Sequence, residues 1–492
     1  MLGLLFVRSE RFMNSRSIWI LVLLTSLIVS DFRVVGQQPG EGSSVLSVLK
    51  PALDSVQGEE ILAHTKKLSS DEFEGRGPAT RGETLTVNYL TDQFKRSGLK
   101  PGNPDGTFVQ KVPMVGFLAQ PKIEVESGGK NVQLNFQDDF VHDYPALRSS
   151  VSTKNSGVVF AGYGIVAPQY DWDDYKDVDV RNKLVIVLSG EPSAPDKRDP
   201  SKLDPTVFKG DTRTYYSTRE FKYDLAARKG AAAILVITDP EKSITYSIFQ
   251  TFAKMEGFVL KPRTPSPAFA MAGLITINAA RRLFAAAGKD LAKLEGSAGN
   301  KDFRPIPTNA SANISVKTKL RNVTSHNVVA RIEGSDPRLK NEYVIYSAHW
   351  DHLGKDTNLK GDQIFNGAQD NAVGAAQLLE MAKGFARLPK KPKRSILFIG
   401  VTAEEKGFLG SHYYAEHPLF PISRTVANIN LDGGNAWGIT SDLITTGYGL
   451  STLDEFLAEA ARLQGRKFIN EAIDNGGLYF ASDQIEFAKV GI

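Results

Sequence analysis

The apolar and polar positions of this chain fall into three zones with different periods. Near the start, residues 59–68 and 81–97 carry apolar or small side chains at helical spacing. In the second stretch these are Leu85, Val87, Tyr89, Leu90 and Phe94, with Gly98 as a stop. The pattern predicts two helices joined by a Gly- and charge-rich loop, SSDEFEGRGPATRG. From about Phe117 the period shortens. KIEVES, NVQLNF, SGVVFAGYGI and KLVIVLSG predict strands. A helix is predicted at 221–228, a strand at AAAILVIT and a further helix at 275–287. This middle zone reads as a compact β-rich unit with a few helices.

After Pro307 strands and helices alternate. SHNVVARIEG, EYVIYSAH, SILFIGVT and VANINLD predict strands, and 372–388 and 451–463 predict helices. In the first of these helices Ala375, Leu379, Ala382 and Ala386 share one side. Near-continuous apolar strands between helices imply an α/β fold, a mostly parallel mixed sheet flanked by helices. In such sheets ligands gather beyond the carboxyl ends of the strands.

Four segments sit at those ends: SAHWDHLG (347–354), NGAQDNAVG (366–374), TAEEKGFLGS (402–411) and NINLDGG (428–434). They offer His349, Asp370, Glu404, Glu405 and Asp432. Singly, each has an ordinary reading. His349 with Asp351 is a surface pair, and Asp370 caps a helix in competition with Asn371. Glu404 and Glu405 lie on a solvated loop, and Asp432 before Gly433 marks a turn. Together, one imidazole and several carboxylates suit two zinc-like ions sharing a bridging carboxylate, with one acid left to handle a proton. Asp351, two residues beyond His349, is placed to accept a hydrogen bond from its second ring nitrogen. In extended geometry Glu404 and Glu405 point apart, one toward a metal and one toward its water. His352 could line the cleft and is not read as a ligand. The constellation points to a hydrolase, and to a peptidase within that class.

Composition narrows the chemistry. The 492 residues contain no cysteine, so any metal is held by histidine and carboxylate. A formal charge of +4 is weak, and the basic run 390–394 is interrupted by Pro392, so nucleic acid is not expected. The acidic stretch 171–179 lacks the glycine and terminal glutamate of a calcium loop and reads as a turn with solvated acids. Arg8, Arg11 and Arg16 precede the short apolar run 18–29, and a polar stretch follows. This is the pattern of a secretory signal, which predicts a protein outside the cytoplasm, secreted or periplasmic. An uncleaved signal would leave a membrane anchor instead.

The four segments together resemble the family-28 metallopeptidases, the group of bacterial leucyl aminopeptidases and glutamate carboxypeptidases. The block 157–237, with FAGYGIVAPQYDWDDY and DLAARKGAAAILVI, is similar to the protease-associated domain inserted in many of them. EFEGRGPATRGE and QFKRSGLKPG resemble the family's N-terminal segment, so the resemblance covers nearly everything after about residue 55. It implies a zinc exopeptidase fold built from 45–116 and 308–492, interrupted by a protease-associated insert at 117–307 and preceded by a signal and linker at 1–36. It also implies roles. His349 would bind one ion and Asp370 would bridge both. Glu404 would be the general base, Glu405 a ligand to one ion and Asp432 to the other, and Asp351 would orient His349. The bridging aspartate of the family often precedes a cis peptide, here Asp370–Asn371. A second histidine ligand follows a Ser-Asp-x-x-x-Phe stretch in the family. Here that stretch is 482–487 and no histidine follows His417, so the expectation is a chain that stops short of that ligand.

These readings converge on an exported, dinuclear zinc exopeptidase acting on peptides, an aminopeptidase before a glutamate carboxypeptidase. A non-catalytic receptor-like ectodomain is the alternative from a different class. Retention of Glu404 and its neighbours weighs against it. No nucleic acid and no stable membrane insertion after signal removal are expected.

Overall fold

The computed structural model describes residues 49–261, 269–436, 438–469 and 477–492. The signal-like run 18–29 lies outside the described residues. The chain forms two compact units. Among the described residues, one comprises 49–112, 325–436, 438–469 and 483–492, the other 113–261, 269–324 and 477–482. The boundaries expected from the sequence are 117 and 307. Strand Val109–Ser127 begins before the first of these and strand Ile306–Ile332 runs past the second.

In the first unit, strands Tyr343–His349, Ser395–Val401 and Thr425–Asn430 are parallel, with Tyr343–His349 in the middle. The last residues of Ile306–Ile332 pair antiparallel with Ser395–Val401, so the sheet is mixed. Every residue of Tyr343–His349 and Ser395–Val401 is buried. That is the reason their sequences are apolar throughout and do not alternate. Val344, Tyr346 and Phe398 face a core shared with Leu68, Leu90, Phe94, Leu378 and Phe385. Ile345, Leu397 and Ile399 face the opposite core with Tyr414 and Phe487. The first core is built by helices Gly58–Leu68, Arg81–Arg96 and Val373–Ala386.

The helix Val373–Ala386 departs from the predicted one-sided stripe. Residues from Gly374 to Ala382 are buried all round, and Ala386 is exposed. The side turned away from the sheet is covered too, and Glu380 is buried where it accepts from the Gln57 amide (3.2 Å).

The second unit has cores of its own. Strands Leu184–Leu188, Ala233–Thr238 and Met271–Thr276 are parallel. Helices Arg219–Arg228, Thr245–Phe252, Ile277–Ala286 and Leu291–Ala298 accompany them, so this unit is α/β in character as well as strand-rich. The helix expected from Ile275 starts at Ile277, because Met271–Thr276 is a fully buried strand and Thr276 caps the helix by accepting from the Ala279 amide. The acidic stretch is not wholly solvated. Asp174 is buried and accepts from the Tyr163 and Ile165 amides (3.0 Å each) and the Trp172 indole (2.9 Å). Among the described residues no helix is long and apolar enough to cross a membrane.

Candidate metal centre

His349 is the last residue of the central strand, and its side chain is 1% exposed. Its Nε2 lies 3.2 Å from Asp370 Oδ1, 3.2 Å from Asp432 Oδ1 and 3.9 Å from Glu404 Oε2. Parallel neighbours bring these together. In register His349 pairs with Val401, just before the Glu404 turn, and Ser347 pairs with Asn430, just before Asp432.

Asp351 corrects the expectation from sequence. Its carboxylate stands 3.8 Å from His349 Nδ1, and the nearer acceptor, at 3.2 Å, is its own backbone carbonyl. The carboxylate accepts instead from the Glu404 amide (3.1 Å). The strand ladder runs one step past His349, where the Trp350 amide donates to Val401 O (3.0 Å) and the indole packs in the core. Asp351 thus anchors the Glu404 turn, while its carbonyl holds Nδ1–H and leaves Nε2 facing Asp370 and Asp432.

The helix cap is Asn371 and not Asp370. The Asn371 Oδ1 accepts from the Gly374 amide (3.0 Å) and the Gly433 amide (2.9 Å), and its Nδ2 donates to Leu431 O (2.9 Å). One buried amide therefore ties the Asp370 loop to the end of the Asp432 strand. The Asp370–Asn371 peptide is cis.

Glu404 and Glu405 do not sit on extended chain. Ala403 adopts a left-handed conformation (φ 53°), and Glu404–Lys406 form a single tight helical turn closed by Gly407 (φ 98°). The two side chains still diverge. Glu404 approaches His349, whereas Glu405 Oε1 lies 2.5 Å from His352 Nδ1.

His352 is the residue that sequence reasoning passes over. Two donor sets form among the described residues: His349, Asp370 and Asp432, and His352, Asp370 and Glu405. Asp370 belongs to both. The available signal is the spacing, since His352 follows His349 by three residues at the end of a strand. Asp483 is also missed. It is fully buried, its Oδ1 lies 2.5 Å from Ser411 Oγ, and its charge acts on Glu404. His412 and His417 lie elsewhere, the first against Glu416 and Glu486, the second stacked on Tyr413.

The electrostatics follow from crowding. Burial, with the charges of Asp483, Asp432 and Glu405, pushes Glu404 well above the usual carboxylate range, against the pull of His349. Burial opposes a charge on His349, but Glu404, Asp370 and Asp432 outweigh it and raise the imidazole well above its ordinary value. Burial lifts Asp351 to about 6 and Asp483 to about 7. Asp370 is held low, because His349 outweighs its desolvation. Nitrogen and carboxylate donors gathered around a buried imidazole, with carboxylates in excess, fit divalent ions of the zinc type.

Strand ends of a parallel sheet thus deliver two overlapping His/carboxylate sets that share Asp370, a candidate site for two metal ions. Residues 327–492 match Peptidase family M28. The chain is 36% identical over 133 residues to the mouse aminopeptidase NAALADL1, a match covering 26% of this chain and 16% of that protein. It is 30% identical over 179 residues to the Bacillus subtilis aminopeptidase YwaD, covering 35% of each. The matches therefore span about a third or less of these relatives' lengths. The solved aminopeptidase from Aneurinibacillus sp. strain AM-1 shares the fold, with a TM-score of 0.50 at 19% identity over 91% of this chain and 85% of that one.

Proposed function

We propose that the chain is an exported exopeptidase that removes N-terminal residues from peptides, with two zinc ions and Glu404 as general base. The observation that carries this reading is the membership of Asp370 in both donor sets, beside a buried glutamate outside either set. His349 and Asp432 would hold one ion, Glu405 and His352 the other, and Asp370 both. When bound, such ions supply Lewis acidity toward a water and the scissile carbonyl. Glu404 takes a proton from the attacking water and returns it to the leaving nitrogen. Burial and the neighbouring carboxylates raise its affinity for a proton above that of a free carboxylate, which makes the ionised group a stronger base toward that water. The Asp351 carbonyl keeps His349 in one tautomer throughout. The names of the mouse and Bacillus relatives support aminopeptidase action, and the pattern at 8–29 supports export. Peptides are the proposed partners, without nucleic acid or lasting membrane insertion.

The test pairs zinc counting with two substrates, leucine p-nitroanilide and its N-acetylated form. The free amine should be cleaved and the blocked one spared, with activity lost to a chelator and restored by zinc. Release of C-terminal residues from blocked peptides would favour a carboxypeptidase. Tight zinc without hydrolysis of either class would refute the enzyme reading.

A further inference from the structure

Arg76 is fully buried and has no place in either donor set. Its guanidinium donates from Nε to Trp350 O (2.8 Å), from Nη1 to Leu68 O (2.8 Å) and Asn366 O (2.7 Å), and from Nη2 to Gly367 O (2.7 Å). Trp350 lies between His349 and Asp351, and Asn366 and Gly367 lead into Asp370. One side chain therefore grips the backbone of both segments that supply the first donor set's imidazole and its shared carboxylate. Its own carbonyl accepts from the His352 amide (3.4 Å), which touches the second set.

The backbone is shaped for this grip. Glu74, Gly75 and Arg76 are all left-handed (φ 49°, 65° and 52°). A Cβ on Gly75 would collide with the carbonyls of Gly354 and Phe365, on the same two loops. The turn is thus wedged between the His352 loop and the Asp370 loop. A lysine could not replace the guanidinium. It lacks a planar fork, and its point charge could not span four carbonyls in different directions.

We propose that Arg76 is a positioning residue of the metal centre, clamping the His349 and Asp370 segments at the spacing that two ions sharing Asp370 require. This rests on the peptidase reading above. The guanidinium does more than staple a fold. Burial lowers its pKa to about 10, with Asp351, Asp370 and Glu405 opposing, so it stays cationic beside the crowded carboxylates. It limits their mutual repulsion at the distance where they must converge.

The experiment compares zinc affinity in the full chain, in Arg76→Lys and in Leu90→Ala, a core change made to lower melting without touching the site. Arg76→Lys should keep its circular dichroism and weaken zinc by about 10–100-fold, the usual cost of losing an outer support of a ligand. Leu90→Ala should melt lower and hold zinc as before. Zinc affinity in Arg76→Lys within twofold of the unaltered chain, or an equal loss in Leu90→Ala, would overturn the clamp. A second measurement needs no variant. Zinc added to the unaltered chain should slow amide exchange at 74–77 together with 366–371, and protection confined to 366–371 would also overturn it. Absence of tight zinc on the unaltered chain would refute the peptidase reading, and the clamp with it. Tight zinc that Arg76→Lys retains would refute the clamp alone.

Discussion

Replacing Glu404 by glutamine changes one charge and almost nothing else. The side chain keeps its length. The bonds that shape the turn are made by backbone: the Glu404 amide donates to Asp351 (3.1 Å), and its carbonyl accepts from the Gly407 and Phe408 amides (2.9 Å each). Glu404 lies outside both donor sets, so the variant should retain zinc within a fewfold of the parent. The cost should fall on turnover. Losing a general base typically slows a reaction by about 10²–10⁴-fold, or about 3–5 kcal/mol of barrier. Glu405→Gln is the matched control. Its carboxylate is 2.5 Å from His352 and belongs with Asp370, so it should lose affinity for one ion by about tenfold or more, since even outer-shell losses reach that size. Zinc titration against a chromogenic chelator, run beside peptide hydrolysis at saturating zinc, separates the two. Saturating zinc should restore much of the activity of Glu405→Gln and none of Glu404→Gln. Equal zinc loss in both variants, or near-normal turnover in Glu404→Gln, would refute the division of labour.

Asn371→Ala should strip the shared acceptor from the Gly374 and Gly433 amides, at about 1–3 kcal/mol for each donor left buried and unpaired, and loosen zinc as well. Urea melts with and without zinc check this, and unchanged stability with unchanged affinity would contradict it. His142 concerns the other unit. Burial pulls its pKa from 6.5 down to about 4, so the unfolded chain takes up the proton first and stability falls as pH drops through that window. The loss should reach about 2 kcal/mol at about pH 5 and about 3 kcal/mol below pH 4. His142→Phe, in a site already stacked on Phe136, should abolish that part of the acid slope in urea melts at pH 7 and about pH 5. Equal slopes in both proteins would count against it.

The parallel strands and the positions of His349, Asp370, Glu404, Glu405 and Asp432 are legible in the sequence because apolar runs ending in polar chemistry are local patterns. What escapes is set by departures from regular backbone. His352 comes into the site through its contact with Glu405, and His349 Nδ1 meets the Asp351 carbonyl in place of the expected side chain, neither of which a local sequence pattern marks. Ala403 is left-handed, so the Glu404–Lys406 turn looks in sequence like the continuation of a strand. Asp483 is distant in sequence and meets Glu404 only through the fold. The end of strand Met271–Thr276 reads as part of a helix, since a short apolar run carries no period that separates the two.

The register of the sheet has a consequence in time. His349, Glu404 and Asp432 are neighbours only because Tyr343–His349 lies in the middle, with Ser395–Val401 on one side and Thr425–Asn430 on the other. Slipping either flank by one residue would turn its side chains to the opposite face and carry the following carboxylate away from His349. A chain still threading out of a ribosome or through a translocation pore holds these donors as separate fragments. It is chemically silent toward itself and toward other unfolded chains around it. On the proposed function, hydrolytic capacity would switch on only when the last of the three strands docks, so the order of assembly acts as its own safety catch.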